Sequence, residues 1–141
     1  DDFEPGMTTA RLRPLLAGKL VQLDVIEDAS PRLHAPPRVL GVMVGNLLGN
    51  ACQFTDEGRI EVRTGADRIV VRDSGIGMSR EELDKAFEPF YRADQAHPVG
   101  KGIGLSVVRR LGERLGWSVT LDSALGEGTT ATIGFAGLRP V

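Results

Sequence analysis

The sequence predicts an α+β domain in which one β-sheet packs against helices over 38–55 and 103–115. Three observations carry that prediction. Apolar residues at Leu40, Val44, Leu47, Leu48 and Ala51, and again at Val107, Val108, Leu111 and Leu115, keep the spacing of one helical face. Short alternating stretches between and around them read as half-buried strands. The chain has 141 residues with 41% hydrophobic and 26% charged residues, which suits one folded unit with a substantial core.

In chain order, residues 1–19 read as an entry segment: polar at first, with Pro5 and Gly6, then a short helix over 8–16 limited by Pro14. The opening Asp1-Asp2-Phe3 suggests a piece cut from a longer protein. Leu20 to Ile26 alternates and predicts a strand. Three prolines make Ser30 to Pro37 a loop, and His34 there reads as a surface residue. The helix over 38–55 is expected to stop near Asp56-Glu57-Gly58, glycine being a common helix terminator. Arg59–Thr64 and Arg68–Arg72, joined by Gly65-Ala66-Asp67, predict a hairpin.

That hairpin delivers Asp73 into Ser74-Gly75-Ile76-Gly77-Met78. A carboxylate at a strand end before Gly-x-Gly lets a ligand approach the backbone, although a tight turn with a solvated Asp reads equally well. Ser79–Ala86 predicts a helix with Glu81 and Glu82 in its first turn, where they suit the dipole. Phe87-Glu88-Pro89-Phe90-Tyr91 is aromatic enough for a small satellite core. Arg92–Val99 lacks periodicity and reads as a long loop of the kind that serves as a lid. Gly100-Lys101-Gly102-Ile103-Gly104-Leu105 then runs into a helix, placing unpaired N–H groups and a cation where an anion would sit. It is neither a dinucleotide fingerprint nor a Walker A loop, since Leu105 stands where glycine is needed and no Gly-Lys precedes Ser or Thr. Trp117, Val119 and Leu121 predict one face of a strand, Gly126–Thr129 a turn, and Ala131, Ile133 and Phe135 the last strand. Residues 137–141 form a tail.

Asn46 and Asn50 sit four apart beside the apolar stripe of the first long helix, with Gln53 close behind. Asparagine is a poor helix former, so the pair calls for a reason. Its carbonyl oxygen suits a hard cation such as Mg²⁺. Taken alone, the plainer reading is that both side chains bond local backbone or face water.

Net charge of −2 gives no bulk electrostatic case for nucleic acid or an anionic membrane. No run reaches the roughly 20 apolar residues of a membrane span. Cys52 is the single cysteine, which excludes an internal disulfide and mildly favours a reducing compartment.

In this order the motifs resemble the ATP-binding catalytic domain of bacterial sensor histidine kinases, the HATPase_c group of the GHKL superfamily that also holds gyrase, Hsp90 and MutL. Asn46-Leu47-Leu48-Gly49-Asn50-Ala51 resembles the N box and Asp73-Ser74-Gly75-Ile76-Gly77 the G1 box. Phe87-Glu88-Pro89-Phe90 resembles the F box, Gly100–Leu105 the G2 box and Gly126–Thr129 the G3 box. The likeness spans Leu20 to Phe135, so residues 20–136 are taken as the domain. It implies a Bergerat ATP-binding fold, a two-layer α/β sandwich whose mixed sheet packs against about three helices.

The resemblance also implies ATP or ADP with Mg²⁺ as ligands. Asn50 would hold the metal and Asn46 would support the phosphate side. Asp73 would accept from the adenine amino group, aided by a water and Thr129, and Phe54 would pack on the purine. Gly75, Ile76, Gly77 and Met78 join the cofactor-binding set. Gly102, Gly104 and Leu105 would offer N–H groups to phosphate, with Ile103 and Lys101 beside them. Residues from about Ser79 to Ile103 would form the lid. Gln53 departs from the pattern, since such domains usually carry Lys or Arg there. No stretch resembles a dimerisation helix with its phosphoacceptor histidine, and neither His34 nor His97 has that setting. The implied partners are a dimerisation domain and a downstream response regulator, and the implied setting is the cytoplasmic side of a membrane-anchored kinase. No nucleophile or general base is assigned within this chain. A nucleotide-responsive module without transferase activity, and an ATPase or anti-sigma-type serine kinase of the same superfamily, are the alternatives.

Overall fold

A computed structural model describes residues 10, 16–28, 37–88 and 104–135. Eight elements lie among them: β1 (Leu20–Glu27), α1 (Pro37–Phe54), β2 (Glu57–Thr64), β3 (Arg68–Asp73), α2 (Arg80–Lys85), α3 (Gly104–Leu115), β4 (Ser118–Ala124) and β5 (Gly128–Gly134). The strands form one sheet in the order β1-β2-β3-β5-β4. β1 runs parallel to β2 and every other pairing is antiparallel, so the sheet is mixed as expected.

Alternation in the strands decides which face is covered. Ile60, Val62, Ile69, Val71, Ala131 and Ile133 point to one side and are buried against α1 and α3. Arg59, Glu61, Arg63 and Arg72 fall on the other side, where Arg59 pairs with Asp24 and Arg63 with Asp28. Such exposed pairs contribute little, and their presence leaves that face to solvent. Two layers therefore result.

Helix α1 carries poor helix formers, yet packing outweighs propensity. Asn46 and Asn50 together cost roughly 1 kcal/mol relative to alanine. Leu40, Met43, Val44, Leu47 and Leu48 are all buried, each worth about 1.5–3 kcal/mol. The far end of the core is closed by Trp117 against Phe135, with ring centroids 4.8 Å apart in an edge-to-face arrangement.

The end of α1 differs from expectation. The helix stops at Phe54, and Gly58 is already the second residue of β2, with φ +127°. Lys19 accounts for the early stop. Its Nζ donates to the Cys52 carbonyl at 2.8 Å and the Thr55 carbonyl at 3.2 Å, and pairs with Asp56 at 3.2 Å. A cation thus satisfies carbonyls that a further turn would have used. Parallel pairing of β1 with β2 then begins at Leu20 with Glu57. The core also reaches back to Leu16. Likewise Gly128 opens β5 rather than lying in the turn before it, and Trp117 is buried just ahead of β4.

Helix α2 is short and is held by its start. Ser79 Oγ accepts from Glu82 N–H at 3.2 Å while Glu82 Oε1 accepts from Ser79 N–H at 2.9 Å, a reciprocal capping box.

Candidate functional site

The site is assembled at the C-terminal end of β3. Sheet register puts Asp73 opposite Thr129 of β5, and Thr129 opposite Ser123 of β4. Residues directly opposed in a sheet project to the same side. Asp73, Thr129 and Ser123 therefore form one rung on the helix-covered face, at the edge of the core.

Asp73 is 6% exposed. Both backbone donors that reach it, Gly75 N–H at 2.9 Å and Thr129 N–H at 3.3 Å, fall on Oδ1. Among the described residues no donor is hydrogen-bonded to Oδ2. Burial pushes the carboxyl above its ordinary 3.8, and the two N–H groups, then the nearby Thr55 hydroxyl, pull it back by less. The Thr55 oxygen is fully buried and makes no well-formed hydrogen bond of its own.

Glycines let the backbone close around this carboxylate. A Cβ on Gly75 would run into the Phe54 carbonyl and lie 2.8 Å from Thr55 Oγ1. On Gly128, at φ +88°, it would meet the Asp73 carbonyl. Gly77 likewise abuts the Ala124 carbonyl. The G1 corner is fastened further by Ile76 N–H to the Phe54 carbonyl at 3.2 Å, Gly126 N–H to the Ile76 carbonyl at 2.8 Å, and Met78 N–H to Ser123 Oγ at 2.8 Å. Met78 is buried, whereas Ile76 is 45% exposed.

On α1, Asn46 and Asn50 are half-buried. Asn46 Nδ2 donates to the Val42 carbonyl at 2.8 Å, which is the local bonding the plainer reading anticipates. The same bond fixes the amide orientation, because the carbonyl can only accept. Asn46 Oδ1 takes no donor among the described residues, and the Asn50 side chain makes no hydrogen bond there. A neutral, half-buried carbonyl oxygen without a partner fits a hard divalent cation that keeps most of its shell as phosphate and water. Gln53 and Phe54 lie half-buried on the last turn of the same helix.

Gly104 is the first residue of α3 and Leu105 is half-buried. Lys101, Gly102 and Ile103 lie outside the described residues, as do His34, His97, Pro89, Phe90 and most of the expected lid. Of the F-box motif, Phe87 is described, with the Arg109 guanidinium 4.7 Å over its ring, tying this segment to α3. No helix among the described residues is long and apolar enough to cross a membrane.

A buried carboxylate at a glycine corner, on the face of a mixed sheet that an Asn-bearing helix covers, is the arrangement of a class of nucleotide-binding ATPase domain. The chain belongs to the histidine kinase-, DNA gyrase B- and HSP90-like ATPase family, whose model matches residues 36–138. Its relatives are sensor histidine kinases, as the motifs implied. It is similar to the aerobic respiration control sensor protein ArcB of Escherichia coli strain K12, 35% identical over 88% of this chain and 18% of that protein. It is also similar to the sensor protein GacS of Pseudomonas syringae pv. syringae, 36% identical over 79% of this chain and 14% of that protein. The chain thus spans less than a fifth of the curated relatives named. Among solved structures, the mycobacterial sensor histidine kinase MprB superposes with a TM-score of 0.76 at 26% identity, covering 96% of this chain and 93% of that one.

Sequence reasoning alone misses Ser123 and Thr55 as site residues. Ser123 sits in an exposed-looking alternation, and only its register against Thr129 reveals it. Thr55 follows Phe54 directly and could have been suspected from that adjacency.

Proposed function

We propose that this chain is the ATP-binding catalytic domain of a sensor histidine kinase. It binds Mg·ATP and passes the γ-phosphoryl group to a histidine on a separate dimerisation domain. Asp73 accepts from the adenine amino group, with Thr129 beside it, and Phe54, Gly75, Ile76, Gly77 and Met78 border the purine. Asn50 holds Mg²⁺ through its amide oxygen, and Asn46 supports the phosphate side with Gln53. Lys101, Gly102, Ile103, Gly104 and Leu105 meet the phosphates. Phosphoryl transfer depends on positioning and charge neutralisation, so the chain needs no covalent nucleophile of its own.

The observation that carries this reading is the buried Asp73 carboxylate, whose two backbone donors both fall on Oδ1 while Gly75 and Gly128 let the chain close around it. Such a group is costly to bury unless a donor meets its second oxygen. In the full kinase, the domain would act on the cytoplasmic side of a membrane-anchored sensor, upstream of a response regulator. The test mixes this chain with a purified dimerisation domain and radiolabelled ATP. Label on the acceptor histidine is the expected result, and label on His34 or His97 of this chain would contradict it.

One feature favours a second reading. Gln53 is neutral where such domains usually carry a cation. A domain that responds to nucleotide without transferring phosphate would bind ATP in the same experiment and leave the acceptor unlabelled. Labelled serine would instead point to the serine-kinase branch.

A further inference from the structure

Ser123 lies on β4, outside every motif that pointed to nucleotide. Three groups meet its hydroxyl oxygen: the Met78 N–H at 2.8 Å, the Gly128 carbonyl oxygen at 2.8 Å and Thr129 Oγ1 at 2.9 Å. A hydroxyl has one proton to give and two lone pairs to offer. The Gly128 carbonyl can only accept, so the Ser123 proton must lie on that line. Otherwise two oxygens would face each other at 2.8 Å with nothing between them. Both Ser123 lone pairs are then taken, one by Met78 N–H and the other by the Thr129 hydroxyl proton. Thr129 has therefore committed its proton and presents only lone pairs to the site. On the same rung, Asp73 receives its two N–H groups on Oδ1 and leaves Oδ2 as an acceptor.

We propose that Ser123 is a positioning residue that locks Thr129 as a hydrogen-bond acceptor, so that the floor selects a purine with an amino group at C6 over one with an oxo group. The proposal rests on the adenine-nucleotide reading above. An amino group supplies protons to two acceptors, directly or through one bridging water. An oxo group brings a third acceptor against Oδ2 and the Thr129 lone pairs, and the ring N1–H that accompanies it can meet only one of them, so acceptors stay mispaired in a buried place, where such groups discriminate most strongly. Removing the Ser123 oxygen frees the Thr129 proton to turn towards an oxo group.

The experiment titrates this chain and its variants with Mg·ATP and with Mg·ITP, which differ in that group and its ring tautomer. Wild type prefers ATP. In Ser123→Ala the ATP-to-ITP affinity ratio falls about tenfold, the scale of one re-paired buried hydrogen bond. Ser123→Thr keeps the hydroxyl and restores the wild-type ratio. In a Thr129→Val background, Ser123→Ala leaves the ratio where Thr129→Val set it. Thermal melting identifies variants that fail to fold. Ser123→Cys, of similar volume and with only weak hydrogen bonding, then takes the place of Ser123→Ala and lowers the ratio too. An equal loss for both nucleotides, with the ratio unchanged, makes Ser123 merely structural and overturns the proposal. A wild-type chain that binds neither nucleotide overturns the adenine reading itself, a failure visible before any variant is made.

Discussion

Replacing Asp73 by asparagine leaves the shape of the side chain and reverses the chemistry of one atom. Oδ1 now accepts from Gly75 at 2.9 Å and Thr129 at 3.3 Å. An asparagine must turn its carbonyl oxygen to those two N–H groups, because its amide would oppose them donor to donor. The NH₂ group therefore lands where Oδ2 was. The two backbone bonds survive in weaker, uncharged form, and the cost of burying a charge disappears, so the melting temperature should change little. A purine amino group, however, loses a charge-assisted acceptor and meets a donor. That loss is about 1.5–3 kcal/mol, or roughly tenfold to a hundredfold in Kd. ITP should lose much less, since its oxo group can accept from the new amide. Calorimetric titration of wild type and Asp73→Asn with both nucleotides measures this, with thermal melts confirming the fold. A folded Asp73→Asn variant that binds ATP as tightly as wild type would refute the role assigned to this carboxylate.

Asn50→Ala should make nucleotide affinity insensitive to Mg²⁺, which titrations with and without the ion will show. Gly49→Ala and Gly128→Ala should move stability in opposite directions. Nothing described lies within 4 Å of a Cβ on Gly49, so helix propensity alone should stabilise by about 0.5–1 kcal/mol. Gly128 combines φ +88° with the Asp73 carbonyl in the way, so alanine there should cost about 2 kcal/mol or more. Urea denaturation reads both. The pH dependence follows from Asp73. Its raised value means the folded chain holds that proton more tightly than the unfolded chain does. The resulting stability is complete below 3.8 and is lost as pH rises through the raised value. Asp73→Asn lacks that loss, so its stability relative to wild type should climb between acid pH and neutrality. ATP affinity of wild type should strengthen over the same interval as the carboxylate ionises.

Much of the fold could be read because one physical signal dominated each element. The apolar stripe of α1 and the alternation of Ile60, Val62, Ile69 and Val71 mark buried faces whatever their neighbours do. Asp73 before Gly75 and Gly77 was legible for a related reason. Side-chain-free backbone beside a strand-end carboxylate has few uses, and the structure shows each glycine packed against a carbonyl. What the sequence hid depends on contacts between distant segments. Lys19 ends α1 from 33 residues away through the Cys52 carbonyl, so Gly58 looked like the terminator although it belongs to β2. Ser123 matters through its place beside Thr129, which β-pairing alone creates. The capping box of Ser79 and Glu82 is present in the spacing, behind the more visible dipole complementarity of the acidic first turn.

Whether Mg·ATP occupies the Asp73 corner is decided by calorimetric titration of the intact chain with ATP, in the presence and absence of Mg²⁺. Saturable binding at a single site that tightens with the metal is expected. Absence of heat with ATP, ADP and a non-hydrolysable analogue alike would contradict it and leave only the α+β fold.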